Sequence, residues 1–531
     1  MARDIPTNRR AIGLGMQFTE RCIVGFLFGY DVIPIYLQGL LIMNDFIHRF
    51  GVETSPGHWV LSSSRQSIIT SLLSAGCVRH SGSLSQALTA DRFGRRMSIF
   101  IWAVIFTIGT AIQTGTEDSI VQLTIGRFVA GLGVGAMSAS HVPGRLYNGE
   151  TAPKSLRGTL LVLYQLQIIF GIFISYVIDL GTHTMPYSSA SWRIPVGLQM
   201  LWGLILMSGI LFLPESRARY LIGNGRMDEA AQVIAELNSV GIDDELVQET
   251  LDEMQFAIKV ENEGGKATWL ECFSTRNHIW KRTVNGMMLQ FIQQLNGQNF
   301  YYYYGDTFFE SAGTGLSPFV IQVILGAVSV VGTVPALILI ERWGRRQSLL
   351  IGAVWEAICA LIAGLVGHFM LAPSGTPTSE LTSREKSGGD TLIAFAILHV
   401  FGFSVFWGPT PWVYLGESFP LRIRPKAIAL GSATSKPQNF LLSFFAPRIS
   451  DHIGPLILLI FFGMLVFGFC YVWLFIPETK GLLLEEVDEM YRSGVKPWDS
   501  ASWRPHLMDN APHHGVVKEE IEDNQDEKGK V

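Results

Sequence analysis

Among the side-chain amides inside long apolar stretches of the sequence, where polar groups are costly, four are candidates for binding a ligand. Gln293, Gln294 and Asn299 fall close together, and Gln165 lies in an earlier stretch. An amide both donates and accepts hydrogen bonds without the cost of a buried charge. A single glutamine in such a stretch more often bonds a neighbouring helix. Because the first three amides span nearly two helical turns and can face one cavity, their spacing favours a site for a neutral polar ligand.

A carboxylate, Asp31, lies in the middle of the first apolar stretch. Hydrocarbon disfavours the ionised form of an acid, so a carboxyl group at this depth either binds a proton or pairs with a cation. The first outcome predicts a role in proton coupling. The second predicts a structural residue that a basic neighbour neutralises.

Other kinds of chemistry find little support in the sequence. Gly131, Gly133 and Gly135 are spaced like a nucleotide-binding loop, but they lie inside an apolar stretch, where small residues favour close helix packing. His513 and His514 have no further ligands at metal-binding spacing. We therefore expect no cofactor and no metal, and no nucleophile–base pair indicates an enzyme.

The elements that position these residues follow from composition. Only 16% of the 531 residues are charged, whereas 48% are apolar or aromatic. Soluble proteins carry about 25% charged residues, so much of this surface must face lipid. The net charge of −5 argues against nucleic-acid binding, and the five cysteines are too few and too scattered for a disulfide framework. The composition predicts an integral membrane protein.

About twelve apolar segments are long enough to cross a bilayer as helices. They lie near residues 18–42, 66–90, 97–114, 120–142, 158–180 and 195–213, and near 284–308, 317–340, 348–371, 391–415, 427–447 and 454–476. The predicted fold is therefore all-α, with twelve transmembrane helices in two bundles of six.

These spans divide the chain into five predicted regions. They are a cytoplasmic N-terminus (1–17), a first bundle (18–213), intracellular amphipathic helices (214–282), a second bundle (283–476) and a cytoplasmic tail (477–531) that is disordered after about residue 500. Arginine and lysine concentrate in the loops on one side of the predicted spans, which places both termini in the cytoplasm. A multi-pass protein of the plasma membrane is expected.

The two bundles share an internal repeat. Residues 91–96 and 341–346 match at five of six positions if Asp and Glu are equated, and the pairs Glu150/Arg157 and Glu417/Arg424 have the same spacing. Repetition of this kind marks a transporter with two similar halves and a binding site between them.

These motifs resemble those of the sugar porter family of the major facilitator superfamily, and fungal hexose transporters in particular. The resemblance reaches to about residue 492, and it includes Gly126-Arg127, Arg157-Gly158 with Gln165, residues 293–299, the tyrosine run 301–304, residues 408–412 and Pro477-Glu478-Thr479-Lys480-Gly481.

The resemblance implies a role for each candidate residue. Sugar hydroxyls would bind the amides of Gln165, Gln293, Gln294 and Asn299, while Trp412 would stack on the sugar ring and Tyr303 and Tyr304 would gate the outer mouth. Packing is the alternative role for the three aromatic residues. In proton-coupled members Asp31 would act with Arg127, whereas in passive members Arg127 would only neutralise it.

The repeated charges would form ion pairs that hold the cytoplasmic gate shut. These residues are Asp91, Arg95, Arg96, Glu150, Arg157, Glu341, Arg345, Arg346, Glu417 and Arg424. Departures from the family pattern lie around Val32, Arg79, Gly144 and Lys436, with Pro437 expected to remove a hydrogen bond from the eleventh span. Altered selectivity, a degenerate carrier and an error in the deduced sequence are three interpretations of them.

The resemblance implies alternating-access transport of a monosaccharide, a hexose such as glucose, with proton symport as the first expectation. Passive uniport is the first alternative. A carrier of another solute (a quinate-like acid, a polyol or a disaccharide) and a sugar sensor that carries no flux are the others. The expected partners are the sugar, protons and the lipid bilayer, with no nucleic acid.

Overall fold

The computed structural model describes most of the chain. The described residues are 39–55, 58–79, 89, 95–151, 157–185, 188–212, 222, 225–238, 240–245, 247–249, 251–252, 254–255, 268–311, 316–371, 382–420, 423–482 and 484–504. Within them, eight stretches of helix are long and apolar enough to cross a membrane. The predicted first span and Asp31 lie outside the described residues, apart from residues 39–42.

Helices make up almost all of the described structure. The first half contains α1 (Asn44–Phe50), α2 (Ser63–Arg79), α3 (Arg95–Thr114), α4 (Ile120–Thr151), α5 (Arg157–Thr182) and α6 (Ala190–Phe212), and α7 (Met227–Asn238) follows it. The second half contains α8 (Ile279–Gln294), α9 (Gln298–Ser311), α10 (Pro318–Trp343), α11 (Arg345–Met370), α12 (Ser383–Val405), α13 (Thr410–Glu417), α14 (Arg424–Ile453) and α15 (Ile457–Phe475), and α16 (Leu484–Ser493) follows it. A short antiparallel hairpin pairs β1 (Val52–Ser55) with β2 (His58–Val60).

Two predicted spans are each divided into two helices. In the segment predicted over 284–308, α8 ends at Gln294 and α9 begins at Gln298. The helix is interrupted because Gly297 has a φ of 101°, which a continuous helix cannot contain. A Cβ at Gly297 would lie 3.1 Å from the Phe461 ring, so the turn is also tightly packed. The segment predicted over 391–415 is likewise divided between α12 and α13.

The eleventh predicted span is longer and more regular than its sequence indicates. Helix α14 continues through both Pro437 and Pro447. Lys436 is half-buried and Pro437 is exposed. The hydrogen bond that Pro437 cannot donate therefore does not interrupt the helix here. Helix α4 similarly continues past its predicted end at residue 142 and contains Gly144.

Small residues bring helices of the first half close together. A Cβ added to Gly131 would lie 2.3 Å from the Leu73 carbonyl oxygen, and one added to Gly133 would lie 2.7 Å from the Phe106 backbone. Helix α4 therefore packs directly on α2 and α3, which supports the packing interpretation of this glycine series over a nucleotide loop.

In the described part of the chain, the most extensive contacts between the halves are those of α2 with α14 and of α5 with α10. We call the end of the bundle at which Glu341, Arg345 and Glu417 lie the arginine end, and the opposite end the distal end. At the distal end, His183 after α5 stacks on Phe319 of α10, with ring centroids 4.2 Å apart. This contact joins the first half to the second.

Between the halves, α7 presents an apolar side. Ala230 and Ile234 of this helix are buried against Ile222, Val247 and Leu251. The amphipathic pattern predicted between residues 214 and 282 thus coincides with a small apolar cluster of its own.

Candidate functional site

The interruption between α8 and α9 positions three of the predicted amides. Gln293 lies in the last turn of α8, and 4% of its surface is exposed. Its Nε2 donates to the carbonyl oxygens of Trp407 and Gly408, both at 2.8 Å. Those carbonyls are accessible because the backbone between α12 and α13 is not helical. Gln293 therefore connects two interrupted spans. Its Oε1 is buried and has no hydrogen-bond partner among the described residues.

The other two amides belong to a hydrogen-bonded network with a residue that sequence reasoning missed. Gln294 Oε1 accepts from Asn299 Nδ2 at 2.8 Å and from Asn439 Nδ2 at 3.4 Å. Asn439 Nδ2 also donates to the Tyr303 hydroxyl at 2.6 Å, and its Oδ1 accepts from Ser74 Oγ at 3.2 Å. Asn439 lies on α14 and Ser74 on α2, so the network joins the two halves. A polar amide within the predicted span 427–447 was the signal available for Asn439.

Tyr304 makes a second connection between the halves. Its hydroxyl pairs with Thr70 Oγ1 of α2 at 2.7 Å and also with the Ser443 carbonyl of α14. Tyr303 and Tyr304 are 1% and 2% exposed. Ser443 lies nineteen residues beyond Arg424, about 28 Å along a helix, so this contact is far from the arginine end.

The remaining predicted site residues take different positions. Gln165 lies half-buried on α5, and among the residues that the structure describes no hydrogen bond joins it to the three amides. Trp412 is half-buried on α13, just after the carbonyls that bind Gln293. Arg127 is fully buried on α4. Its predicted partner Asp31 lies outside the described residues.

The second half contains part of the predicted charge cluster. Arg345 donates to both carboxylate oxygens of Glu417, at 2.6 and 2.9 Å, and to Glu341 at 3.0 Å. Thr479 Oγ1 adds a hydrogen bond to Glu417 at 3.0 Å. A bidentate pair of this kind fixes the start of α11 against the end of α13.

The Pro-Glu-Thr motif completes this cluster. The Glu478 carboxylate accepts from the backbone amides of Arg345 and Arg346, at 2.8 and 3.1 Å, so it caps the N-terminus of α11. Gly344 has a φ of 90°, and a Cβ there would lie 2.4 Å from Glu478 Oε2. The glycine of the hexad is therefore required by both its backbone conformation and the approach of Glu478.

Two further arginines of the predicted charge cluster donate to backbone carbonyls. Arg346 Nη2 donates to the Trp473 carbonyl and its guanidinium lies 5.1 Å from the Trp473 ring, and Arg424 Nε donates to the Phe419 carbonyl. Asp91 lies outside the described residues, as do the side chains of Arg95, Arg96, Glu150 and Arg157. The ion pairs of the described part of the arginine end all lie within the second half and the segment after it.

This arrangement suits the binding of a neutral, hydroxyl-rich molecule. The amides of Gln293, Gln294, Asn299 and Asn439 offer donors and acceptors from one region, and aromatic rings of Tyr303 and Tyr304 adjoin it. The four amides are neutral, so a ligand there would be held by hydrogen bonds rather than by ion pairing.

The known proteins that are similar in sequence to this chain are sugar transporters. The chain matches the family described as "Sugar (and other) transporter" over residues 20–491. It is 40% identical over 493 residues to the low-affinity glucose transporter of Kluyveromyces lactis, covering 92% of this chain and 85% of that protein. It is 38% identical over 481 residues to the low-affinity glucose transporter HXT3 of Saccharomyces cerevisiae, covering 91% and 82%.

Solved structures give the same picture of the architecture. The proton:xylose symporter XylE bound to 6-bromo-6-deoxy-D-glucose, a major facilitator superfamily protein, superposes with a TM-score of 0.70 at 24% identity, covering 91% of this chain and all of that one. A partially occluded inward-open form of XylE from E. coli gives 0.68 at 23% identity, covering 88% and 99%.

Proposed function

Because the chain belongs to the sugar transporter family, we propose that it carries a hexose such as glucose across a membrane by alternating access. It is a multi-pass membrane transporter and not an enzyme, and its fold is that of the major facilitator superfamily, in agreement with the predicted fold class. The identity of about two residues in five with a named glucose transporter supports a hexose as the substrate.

The observation that carries this proposal is the amide network between the halves. A substrate held by Gln293, Gln294, Asn299 and Asn439 would sit between α8–α9 and α14, and Ser74 of α2 reaches the same network from the first half. A site formed by both halves is what alternating access requires, because their relative motion then exposes it to one side at a time. Trp412 of the second half and Gln165 of the first half would complete the sugar-binding site.

The two ends of the molecule would act as opposing gates. The contact of Tyr304 with Thr70 and Ser443 closes the distal end, and it must break to admit a substrate there. We assign the arginine end to the cytoplasm, because its loops carry the concentration of basic residues. Both termini would then be cytoplasmic, and the protein would reside in the plasma membrane.

For the energy source we propose proton symport through Asp31 and Arg127. Arg127 is fully buried on α4, and a buried guanidinium favours a nearby carboxylate. Passive uniport is the second candidate, with Arg127 serving only to neutralise Asp31. A sensor without flux and a carrier of another solute are the further outcomes that the experiment below separates.

Uptake of labelled glucose into cells that lack their own hexose carriers tests the proposal. Uptake that collapses when a protonophore is added supports symport, whereas equilibrative uptake that persists supports uniport. Absence of glucose uptake, with the protein at the cell surface, would contradict the proposed substrate. Uptake of labelled polyols, disaccharides and quinate would then identify another solute.

Substitution of Gln293 tests the site itself. Gln293→Ala removes the buried Oε1 acceptor, together with the two hydrogen bonds that hold Nε2 to the backbone after α12, and should weaken glucose binding by about 1–3 kcal/mol, a factor of about 5–150 in Kd. Gln122→Ala, at an exposed glutamine near the start of α4, is the matched control and should leave binding unchanged. Equal affinity in both variants would remove Gln293 from the site.

A further inference from the structure

The second half encloses a pair of titratable side chains that the proposed function does not use. Glu356 of α11 and His399 of α12 are 0% and 1% exposed. His399 Nε2 lies 3.9 Å from Glu356 Oε2, and His399 Nδ1 lies 3.3 Å from the Glu356 carbonyl oxygen. The two side chains therefore face each other in the interior of one half.

This pair is joined to the interruption between α8 and α9. Asn296 Nδ2 donates to Glu356 Oε2 at 2.9 Å, and Asn296 Oδ1 accepts from the Gln298 amide at 3.1 Å. Asn296 is itself fully buried and lies between Gln294 and Asn299 in the chain. Glu356 thus holds the turn whose two sides carry the proposed sugar-binding amides.

The surroundings of Glu356 leave its charge uncompensated. Its Oε1 and His399 Nε2 are both buried without hydrogen-bond partners among the described residues, and the 3.9 Å between Nε2 and Glu356 Oε2 is too long for a hydrogen bond, so the imidazole does not satisfy the carboxylate in this arrangement. The other titratable groups nearby are Cys359, one turn along α11, and Tyr301 of α9, whose ring lies edge-on to His399 at 5.4 Å. No lysine or arginine forms an ion pair with Glu356 in the described part of the chain.

We propose that Glu356 and His399 form a proton-binding site that controls the turn between α8 and α9. In the arrangement seen here the carboxylate has taken up one proton and is a neutral acid, because one hydrogen bond from Asn296 cannot offset the cost of a buried negative charge. Loss of that proton leaves a carboxylate that needs water, so it requires the turn to move. This site is distinct from Asp31 and Arg127.

Proton binding and sugar binding would then be linked, a consequence that rests on the proposed function. The arrangement of the turn seen here requires a protonated Glu356, so it is favoured at low pH and is lost as the pH rises. Because Gln294 and Asn299 flank this turn, the affinity for sugar should fall as the pH rises. Conversely, bound sugar should increase the affinity of the Glu356–His399 site for its proton.

A measurement without sugar tests the site directly. Infrared difference spectra of the full-length protein in lipid, between acid and alkaline pH, should contain the carbonyl band of a protonated carboxylic acid from Glu356. Glu356→Gln should remove that component, since glutamine keeps the shape and can still accept from Asn296. Glu249→Gln, at an exposed residue, should retain it. A difference spectrum unchanged by Glu356→Gln would overturn the proposal.

His399→Asn provides a second test that leaves the carboxyl group intact. It should shift the pH at which this band titrates, and an unshifted titration would exclude the imidazole from the site. The glucose Kd of the wild type should rise at least about fivefold from acid to alkaline pH, and the rise should be smaller in Glu356→Gln, which keeps Asp31. A rise of the same size in both proteins would contradict the linkage. A wild-type Kd that does not change with pH would overturn the linkage. Failure to bind glucose at any pH would instead contradict the proposed function, and the infrared result would still decide the proton site.

Discussion

At the scale of single residues, the amide of Asn439 connects more of the site than any residue predicted from the sequence. It contacts Gln294 and Tyr303 in the second half and Ser74 in the first. The sequence motif at residues 293–299 indicates three of the site amides, because they are clustered. Asn439 lies in a different span, so only the packing of α14 against α2 and α9 brings it to them.

Asn439→Ala should weaken glucose binding by about 1–3 kcal/mol, because it removes an amide of the site and takes the hydrogen bonds of Asn439 away from the hydroxyls of Tyr303 and Ser74. Equilibrium binding to the purified protein measures the effect. Thr434→Val is the control, since Thr434 Oγ1 bonds only the Leu430 carbonyl of its own helix at 2.9 Å. Comparable losses in the two variants would point to general damage to α14.

Gly344→Ala should destabilise the start of α11. The new methyl group would collide with Glu478, and a non-glycine residue at a φ of 90° costs about 1–3 kcal/mol by itself. A lower melting temperature and slower transport are expected. Gly209→Ala in α6 provides the comparison, because nothing lies within 4 Å of a Cβ there. Equal melting temperatures for both variants would show that Glu478 tolerates the methyl group.

At the scale of helices, the segment after the last span is fastened to the second half. Arg282 of α8 is fully buried, forms an ion pair with Asp488 of α16 and lies 4.4 Å from the Tyr491 ring. The Tyr491 and Tyr414 hydroxyls are 2.7 Å apart. Burial raises the pKa of Tyr491, so its hydroxyl stays protonated and can donate. Helix α16 is thus a structural part of the bundle.

Arg282→Met should release α16 and lower stability by about 1–3 kcal/mol, because a buried charge-assisted contact is lost. Limited proteolysis of the tail and thermal unfolding both report this change. Arg226→Met is the control: Arg226 and Glu229 also form an ion pair, but their side chains are 56% and 52% exposed, so its loss should cost little. A tail equally resistant to protease in Arg282→Met would contradict the docking role.

Helix positions follow from the sequence more closely than helix interruptions do. Apolar length predicts α3, α5, α10 and α15 within a few residues, because hydrocarbon requires continuous helix there. The interruption at Gly297 lies against the Phe461 ring of α15, which is distant in the chain, and α14 continues through Pro437, which is exposed. Such tertiary contacts are not encoded in local hydropathy.

At the scale of the whole molecule, the contacts between the halves determine which end is closed. The distal end is held by Tyr304 with Thr70 and by His183 with Phe319. These contacts stabilise one conformation only by the free energy that they lose in the other. The repeated hexads predict two halves correctly, but the state of the gates depends on residues that lie outside those hexads.

Tyr304→Phe should shift the protein toward opening at the distal end. Loss of a hydrogen bond worth about 1 kcal/mol changes the conformational balance by about fivefold. Spin labels at the exposed residues Val60 and Leu316 would measure a longer distance. Tyr302→Phe is the control, since the Tyr302 hydroxyl bonds Ser329 within the second half at 3.0 Å. Equal label distances in both variants would exclude Tyr304 from the gate.

The double attachment of Asn439 also determines how the protein should respond to molecules that are larger than its cargo. A hexose derivative with a bulky substituent could satisfy Gln294 and Asn299 while keeping Asn439 and Ser74 apart. Such a compound would occupy the protein without being translocated, and it would act as an inhibitor. Enlarging the substituent stepwise should therefore convert a carried compound into a blocker at the size where Ser74 can no longer reach its amide partner.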